Sequence, residues 1–495
     1  MTKTKLLSIL LALVLCISTL CTALTSCAND PEDGNDASDD DTATPTPDDD
    51  EDKTEEDFDI RKALEALPEC KFSGDEFLIA ASSTYENRFV IEQFTSDDHK
   101  DGSLVHDALF DRDAMVEEVL GITIAYDDML DSAMYGKIGN NIKSGDDTYS
   151  LVLGILSATA LPMFNNNLLY DINEVPHVDL TKPWWNKNSI DNFQINNKIY
   201  MATGALTNRY VYAPYAMLFN QQLLADASLE SPYELMDNNE WTLEKFAEMI
   251  EGHYYDLNPN DKVDIGDFFG LAPASDSETA YYFAAGASLL SKDKDNELVF
   301  TYMDDNNLDI LDDVIMLYDS DDVLKYIDTY DSIAAFREGR AIFHSMALCD
   351  ITMLNDMTDE YGIVPMPKYD EDQTEYYSNA NRYISTMVLF PSSIADIDSV
   401  GLIAEALAMT SKYTSLDAQY EQVLLNRQAL DGQSKASLMA VVESTSYDLC
   451  YALDFGGIVG PLSSLIFKGG AYASFYETYI GKLDSALDAF LEHYE

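Results

Sequence analysis

The sequence predicts an α/β fold with two lobes. Two observations lead to this: apolar segments of strand length alternate with a helical segment in the first third of the chain, and the chain is long. About 436 residues follow an acidic stretch near the N-terminus, which is more than one ordinary hydrophobic core needs. At 46% hydrophobic and 11% aromatic residues, the composition is that of a globular protein.

The first lobe is predicted from strands and a helix that alternate along the chain. The segments 76–80, 122–125 and 150–154 are short and apolar, as buried strands of a parallel sheet are. Between the first two, 103–120 has apolar residues at approximately helical spacing, and Gly121 is expected to end that helix. This order is typical of an α/β lobe.

Two loops that follow strands of this sheet carry polar residues. In open parallel sheets, ligands bind beyond the carboxyl ends of the strands. Tyr85 comes after the first predicted strand and Ser157 after the third. We therefore expect Tyr85 and Ser157 to lie near the ligand.

The N-terminus has the pattern of a secretory signal. Two lysines precede an apolar run over 6–20, and the small-residue site Leu-Thr-Ser-Cys follows at 24–27. The run is short for a membrane span, so cleavage is expected. A site that ends in Cys resembles the bacterial lipoprotein signal, in which 1–26 is removed and Cys27 becomes the lipidated first residue. Ordinary secretory cleavage beside an unrelated Cys is the alternative.

The segment 27–59 is predicted to be a disordered linker. Between 28 and 59 it has 16 Asp or Glu residues against the single Lys53. Such a segment cannot bury enough surface to offset its ordering entropy, and its like charges extend it. We therefore expect the folded domain to span 60–495 and to be held at the outer face of the cell membrane by lipid on Cys27.

Charge and cysteine content narrow the function classes. The chain has 89 Asp or Glu residues against 29 Lys or Arg, a net charge of −60. Its field repels nucleic acid and anionic lipid surfaces and favours neutral or cationic ligands. Without the signal and Cys27, the odd set Cys70, Cys349 and Cys450 remains. No disulfide framework is expected, and we interpret all three as small buried hydrophobes.

Seven segments match, in order and spacing, the landmarks of one known family. They are Leu-Tyr-Asp-Ile-Asn-Glu-Val-Pro (169–176), Pro-Trp-Trp (183–185), Asn-Lys-Ile-Tyr-Met (197–201), Leu-Phe-Asn-Gln-Gln-Leu-Leu (218–224), Glu-Trp-Thr-Leu-Glu-Lys-Phe (240–246), Ala-Phe-Arg-Glu-Gly-Arg-Ala-Ile-Phe (335–343) and Tyr-Gly-Ile-Val-Pro-Met-Pro (361–367). On these segments the chain resembles extracellular solute-binding proteins, the family that includes the maltose-binding protein and serves sugar-importing ABC transporters.

The resemblance implies a two-lobed, periplasmic-binding-protein-like fold that closes over a ligand. Its function would be to capture a mono- or oligosaccharide and deliver it to the permease subunits of an ABC importer. We expect a monomer. Each lobe would be discontinuous: lobe 1 about 72–203 and 385–428, lobe 2 about 204–384 and 429–495.

The resemblance also implies three crossings between the lobes, near 202–207, 381–386 and 426–431. A hinge needs only a few residues to absorb a backbone change, and Gly204 and Gly432 lie close to two of these crossings. The two glycines are equally well explained as plain turn residues.

The segment 256–267 has the spacing of a calcium loop. Oxygen side chains fall at positions 1, 3, 5, 9 and 12 and a carbonyl at position 7, as a hard divalent cation requires. Position 6 is Asp261 instead of the usual Gly, and position 12 has a side chain shorter than Glu. Many solute-binding proteins carry a similar structural calcium loop; an acidic solvated loop is the alternative. The predicted ligands are Asp256, Asn258, Asn260, Lys262 through its carbonyl, Asp264 and Asp267.

Sugar recognition needs aromatic faces together with hydrogen-bonding groups. Ser277 to Leu290 is predicted to be a helix, and its counterpart in the maltose-binding protein carries ligand-stacking aromatics. We expect Tyr282, and as second choice Tyr281, to stack on a sugar, with core packing as the alternative. Further ligand-binding candidates are Arg209 after the first crossing, His344 after the predicted strand 341–343, and Asp350.

Motifs of common enzyme classes are absent from the sequence. It lacks His-Glu-x-x-His, Gly-x-Ser-x-Gly, a Gly-rich phosphate loop and Cys pairs at zinc spacing, and its six histidines form no ligand-like cluster along the chain. Among so many carboxylates, a pair for glycoside hydrolysis can occur by chance. The alternatives to a sugar-binding protein are therefore a surface glycoside hydrolase and a binding protein for another solute such as a peptide.

Overall fold

The structure is a computed structural model of the chain. It describes residues 58–85, 89–260, 262–325, 328–425, 432–470 and 472–494. The predicted signal, Cys27, nearly all of the acidic linker and the crossing at 426–431 lie outside the described residues. Asp59 to the C-terminus forms one compact unit.

The first sheet has four strands. Phe77–Ala81 lies at its centre and pairs in parallel with Ile124–Asp128 on one side and Leu151–Ile155 on the other. Thr386–Leu389, from much later in the chain, pairs antiparallel with Leu151–Ile155 and forms the edge. The central strand and Leu151–Ile155 are apolar because helices cover both of their faces.

The second sheet also has four strands, in the order Tyr361–Pro365, Tyr215–Asn220, Ala341–Ala347 and Phe269–Leu271. Tyr215–Asn220 is antiparallel to both of its neighbours, whereas Ala341–Ala347 and Phe269–Leu271 are parallel. The strands Tyr215–Asn220, Ala341–Ala347 and Tyr361–Pro365 are buried over their whole length. This sheet is the centre of a second α/β layer structure.

Two segments join the sheets and run side by side. We call 202–214 the first crossing and 380–388 the second crossing, because bridges pair Ala202 with Val388 and Pro214 with Ala380. The hydroxyl of Thr203 donates to the carbonyl of Thr386 at 2.8 Å. The two crossings therefore form one short two-stranded connection between the sheets.

Helices cover both sheets, and three short strand pairs lie outside the sheets. Ile397–Lys412 and Ser415–Leu425 pack on Leu104–Leu120 beside the first sheet, whereas Gly432–Glu443 packs on the second. The short pairs are Thr84–Tyr85 with Phe89–Val90, Leu290–Lys292 with Leu298–Phe300, and Ser378–Asn379 with Thr445–Ser446. The remaining α-helices of the described residues are Ile60–Glu65, Asp131–Lys143, Leu161–Phe164, Lys187–Phe193, Gln221–Asp226, Pro232–Asp237, Leu243–Ile250, Glu278–Ala284, Asp305–Asp319, Thr329–Arg337, Leu449–Ala452, Val459–Lys468 and Tyr472–Leu491.

Helix ends follow the local signals in the sequence. Leu104–Leu120 ends at Gly121, whose φ of +68° is one that a glycine adopts without strain. Leu243–Ile250 begins after Thr242, whose hydroxyl accepts a hydrogen bond from the Lys245 amide at 3.2 Å. The end at Gly121 is the predicted one, and Thr242 is a residue type preferred at an N-cap.

Close packing explains one of the two crossing glycines. A Cβ atom added to Gly204 would lie 2.2 Å from the carbonyl oxygen of Trp184 and 2.9 Å from Cα of Trp185. Only glycine fits there. Gly432 is the first residue of a helix.

Three local expectations are wrong in detail. The second strand of the first sheet is Ile124–Asp128, two to three residues later than predicted, because its register against Phe77–Ala81 begins at Ile124. The helix Glu278–Ala284 stops well short of Leu290, since the chain turns at Gly286 with a φ of +81°. Cys70 is only half-buried, although Cys349 and Cys450 are buried as expected.

Candidate ligand site

Loops at the carboxyl ends of the first sheet's strands lie near the second crossing. Ser83 follows the central strand, and its amide and hydroxyl donate to the carboxylate of Asp128 at 3.0 and 2.7 Å. The backbone of Tyr85 lies in a short strand after this loop, and its side chain lies outside the described part of the chain. Ser157 is half-buried, and its amide donates to the carbonyl of Arg382 at 3.3 Å. Ser157 therefore lies against the second crossing.

The second crossing begins with a polar group that joins elements of both sheets. The side-chain amide of Asn381 donates to Tyr215 of the second sheet at 2.9 Å and to Asp276 at 3.2 Å. Its side-chain oxygen accepts from the backbone amide of Tyr383 at 2.9 Å. Asn381 therefore fixes the path of the chain on which Arg382 and Tyr383 stand.

The side chains of Arg382 and Tyr383 contact each other at the surface of this connection. The guanidinium of Arg382 lies 5.2 Å from the ring centre of Tyr383, donates through Nε to the carbonyl of Ala452 at 2.9 Å, and lies 3.7 Å from the carboxylate of Asp454. Arg382 is buried, whereas Tyr383 is 45% exposed. We call Asp276, Asn381, Arg382, Tyr383 and Asp454 the crossing cluster.

The crossing cluster has the chemistry that a carbohydrate needs. The ring of Tyr383 contacts a cation and is 45% exposed, and the carboxylates of Asp454 and Asp276 lie next to Arg382 and Asn381. C–H surfaces of a sugar ring pack on such a face, and its hydroxyls bind such polar groups. The sequence analysis places a crossing here but does not select these residues as ligand-binding.

A buried carboxyl group lies close to the crossing cluster. Glu278 starts the helix that follows Asp276, and its Oε2 has no hydrogen-bond partner among the described residues. Burial, together with the charge of Asp276, raises the pKa of Glu278 to about 7. Glu278 is therefore largely protonated in mildly acidic conditions.

Arg209 is fully buried. Its Nη1 donates to both carboxylate oxygens of Asp131 at 3.0 and 3.1 Å, and its Nη2 donates to the carbonyl of Ser82 at 3.2 Å. These bonds tie the first crossing to the carboxyl end of the central strand. The predicted contact of Arg209 with ligand stays a prediction, and the structure gives the side chain no exposed surface from which to make it.

Tyr281 and Tyr282 are fully buried. The ring of Tyr281 lies 6.0 Å from Phe246 and 5.6 Å from Tyr318, and that of Tyr282 lies 5.2 Å from Phe283. Burial raises the pKa of both phenols. Their stacking on a sugar stays a prediction, while their surroundings are those of core side chains.

His344 and Asp350 lie in and after the longest strand of the second sheet. The strand extends to Ala347, so His344 is inside it and not after it as predicted, because its pairing with Tyr215–Asn220 continues. His344 is fully buried, its Nδ1 contacts the carbonyl of Ala272, and burial lowers its pKa to about 4. Asp350 is buried in the 3-10 helix Leu348–Leu354. A ligand role for either stays a prediction.

The two adjacent tryptophans share one buried carboxylate. The indole N–H groups of Trp184 and Trp185 donate to the two oxygens of Glu405 at 3.0 and 3.1 Å. Burial raises the pKa of Glu405 to about 7. These bonds hold the helix Ile397–Lys412 against the segment that contains Trp184 and Trp185.

The predicted calcium loop is centred on Asp264. Its carboxylate accepts from the side-chain amides of Asn258 at 2.9 Å and Asn260 at 2.7 Å and from the amide of Gly266 at 2.8 Å. A Cβ atom at Gly266 would lie 2.6 Å from Asn258 Nδ2, so the loop is tight there. The oxygen-bearing side chains therefore already converge on one point.

The other predicted calcium ligands lie around this centre. Asp267 is fully buried and accepts from the Asp264 amide at 3.0 Å, Asp256 accepts from the Asn258 amide at 3.1 Å, and the Lys262 amide donates to Asn260 at 2.8 Å. Asp261 at position 6 lies outside the described residues. Rotating the two Asn side chains by half a turn would aim their oxygens inward, so this donor set fits a hard cation.

A separate cavity of about 760 Å³ lies in the second lobe, between the helices Leu243–Ile250 and Asp305–Asp319. Its lining includes apolar residues and a rim of carboxylates, and none of its lining residues belongs to the crossing cluster.

The fold is that of two-lobed substrate-binding proteins. A cyclo/maltodextrin-binding protein solved with maltotetraose aligns with a TM-score of 0.55 at 11% identity, over 85% of this chain and 98% of its own. An ABC substrate-binding protein from Listeria monocytogenes in complex with cycloalternan gives 0.51 at 11% identity, over 83% and 99%. The maltose/maltodextrin-binding domain from Bdellovibrio bacteriovorus bound to maltotriose gives 0.50 at 14% identity, over 83% and 100%. The predicted fold class is confirmed.

At the level of sequence, no family model and no curated protein matches the chain. The fold likeness therefore rests on three-dimensional structure. In the part of the chain that the structure describes, no helix has the length and apolar character needed to span a bilayer.

Proposed function

We propose that the protein is a solute-binding protein that captures a carbohydrate and delivers it to an ABC importer. The exposed ring of Tyr383 carries the proposal, because it is held by Arg382 within a group of carboxylates at the connection between the two sheets. The neighbours with this fold that were solved with maltotetraose, cycloalternan and maltotriose support it. Lobe closure over this connection would enclose the sugar.

Binding to the purified chain without its signal segment tests the proposal. Isothermal titration with maltotetraose and cycloalternan comes first, followed by a panel of other oligosaccharides. We expect at least one carbohydrate to bind, with a loss of affinity in Tyr383→Ala. If peptides bind and no carbohydrate does, the cargo class is wrong.

The same assay decides which tyrosine contacts the ligand. If Tyr282 is a core residue, Tyr282→Ala loses about 3–5 kcal/mol of stability, and the folded fraction binds normally. If Tyr282 stacks on the sugar, affinity falls more than stability does. Tyr281→Ala is read in the same way.

A surface glycoside hydrolase is the alternative from another class. Incubating each bound oligosaccharide with the protein and analysing the products by chromatography separates the two. A binding protein returns its ligand intact, whereas release of shorter sugars that depends on protein concentration would favour the hydrolase.

We further propose that lipid on Cys27 anchors the protein to the outer face of the cell membrane. The acidic linker offers no second attachment to an anionic surface. Cys27→Ala should therefore move the protein from the membrane fraction to the medium. Retention of the variant on membranes would contradict the anchor.

We also propose that the loop 256–267 holds a structural calcium ion. The convergence of its oxygen-bearing side chains on Asp264 supports this. An ion that binds only the native state stabilises it by mass action, so calcium should raise the melting temperature. The increase should be absent in Asp256→Ala, and an equal increase in that variant would refute the site.

A further inference from the structure

A histidine and three aspartates come together just before and within the first turn of Leu104–Leu120. Nδ1 of His106 lies 3.6 Å from Oδ1 of Asp101 and 3.6 Å from Oδ1 of Asp107. One ligand atom from each of these three residues lies within 4.8 Å of the other two. Along the sequence this spacing gives no signal, and only the folded loop brings the three together.

His106 is buried and oriented. Its Nε2 lies 2.8 Å from the hydroxyl of Thr95 and 3.1 Å from the carboxylate of Asp97. With the Nε2 proton donated to Asp97, the lone pair of Nδ1 points at Asp101 and Asp107. Nδ1 is itself buried and has no hydrogen-bond partner among the described residues. In this tautomer the lone pair faces two carboxylates, an arrangement that a cation between them stabilises.

We propose that Asp101, His106 and Asp107 form a binding site for a divalent metal ion of the zinc class. Imidazole nitrogen with two carboxylate oxygens is a donor set that suits zinc better than calcium or magnesium. Ligands at zinc distances in a tetrahedral site lie about 3.4 Å apart, so the two 3.6 Å separations from His106 need only a small contraction.

The loop holds both carboxylates in place. Oδ1 of Asp101 accepts from the Ser103 amide at 2.7 Å, and Oδ1 of Asp107 accepts from the amides of Asp101 at 3.1 Å and Gly102 at 3.2 Å. The side chains of Asp101 and Asp107 are partly exposed, which leaves a fourth position open to water. Asp97 acts on the metal only through His106, as carboxylates behind zinc-bound histidines do.

A proton competes with the metal ion for the ring nitrogen of His106. Burial lowers the pKa of His106, but the hydrogen bond to Asp97, the contact with Asp107 and the charges of Asp101 and Glu92 outweigh burial and raise it. An imidazolium would satisfy the same carboxylates, and zinc would displace its proton.

Zinc is titrated into the full chain after a chelator has removed any bound metal. This experiment distinguishes a zinc site from a protonated His106. We expect the wild type to bind one zinc ion at this site and to show visible absorption bands with cobalt. His106→Gln should lower zinc affinity at least about tenfold, whereas His99→Gln, which removes an exposed neighbouring histidine, should leave it unchanged. Asp97→Asn keeps all three ligands and should cost about 10- to 100-fold.

Two further variants keep the test decisive. Asp101→Asn changes an exposed ligand, so it should reduce zinc affinity even if His106→Gln fails to fold. Asp256→Ala should leave zinc affinity unchanged, because the calcium loop is a separate site. The proposal is overturned if the wild type binds no zinc below about 100 µM, or if His106→Gln and Asp101→Asn bind it as tightly as the wild type does.

Discussion

The tripeptide Asn-Arg-Tyr occurs twice in this protein, once in each crossing between the sheets. At 208–210 the arginine is fully buried and bound to Asp131, and Tyr210 is buried beside it. At 381–383 the arginine binds a backbone carbonyl and lies against a tyrosine that is 45% exposed. The same three residues therefore form a buried ion pair in one crossing and leave an exposed ring in the other.

The neighbours that each crossing meets cause this difference. The first crossing continues into the 3-10 helix Asn208–Tyr212, whose side chains pack beneath the carboxyl end of the first sheet. In the second crossing, Asn381 donates to Asp276 at 3.2 Å, and the ring of Tyr383 is exposed. The tripeptide is the same at the two places, so the residues around it cause the difference in burial.

Arg209→Met should have the largest effect of the changes that test this comparison. It removes the guanidinium that donates to the buried carboxylate of Asp131, and breaking a buried ion pair in this way costs about 3–5 kcal/mol. Urea unfolding measures the loss. Asp131→Leu combined with Arg209→Met should recover part of it, and a small loss in the single variant would show that the pair is not what anchors the first crossing.

The carboxyl group of Glu278, close to the crossing cluster, should make the stability of the folded chain depend on pH. Its pKa is raised to about 7 in the folded chain from an ordinary value of 4.5, because burial disfavours the charge. The native form then holds a proton that the unfolded chain has released. The neutral carboxyl of Glu278 therefore contributes to the stability of the folded chain. This stabilisation of about 3 kcal/mol is complete below pH 4.5 and is lost as pH rises to about 7.

Unfolding in urea at several pH values tests this dependence against Glu278→Gln. The variant should flatten the fall between pH 4.5 and 7, since it cannot ionise. Glu405→Gln, which removes a different buried carboxyl of raised pKa, should leave the Glu278 part of the fall in place. An unchanged pH profile in Glu278→Gln would contradict the assignment.

Arg382→Met should cost less stability than Arg209→Met. It removes a hydrogen bond to the carbonyl of Ala452 and a long contact with Asp454, a loss of about 1–3 kcal/mol. It should also weaken carbohydrate binding, because Tyr383 loses the cation that holds its ring. Equal stability losses in the two arginine variants would remove the distinction between the crossings.

Tyr383→Ala should have the smallest effect on stability, within about 0.5 kcal/mol, because the side chain is at the surface. Carbohydrate affinity should nevertheless fall about tenfold, since the stacking face is lost. Tyr330→Ala serves as the matched control, because it removes a tyrosine that is 51% exposed on the helix Thr329–Arg337. Equal affinities of Tyr383→Ala and Tyr330→Ala would place the sugar elsewhere.

The fold is easier to predict from the sequence than the exposure of an individual tyrosine is. Tyr281 and Tyr282 lie in an aromatic segment, and aromatic residues at helical spacing occur both in cores and in binding sites. Tyr383 has no aromatic neighbours in sequence. Its crossing was expected, and the repeated Asn-Arg-Tyr was the available signal, but exposure depends on residues that are distant along the chain.

The sequence by itself determined the alternation of strands and helices, the ends of helices at Thr242 and Gly121, and the order of the segments that resemble solute-binding proteins. These features depend on neighbours within a few residues, such as an N-cap hydroxyl or a glycine of positive φ. Tertiary structure alone decided which arginine pairs with a buried aspartate, which tyrosine is exposed, and that His106 meets Asp101 and Asp107. Burial and charge pairing are sums over residues far apart in sequence, and the folded chain is what brings those residues within contact distance.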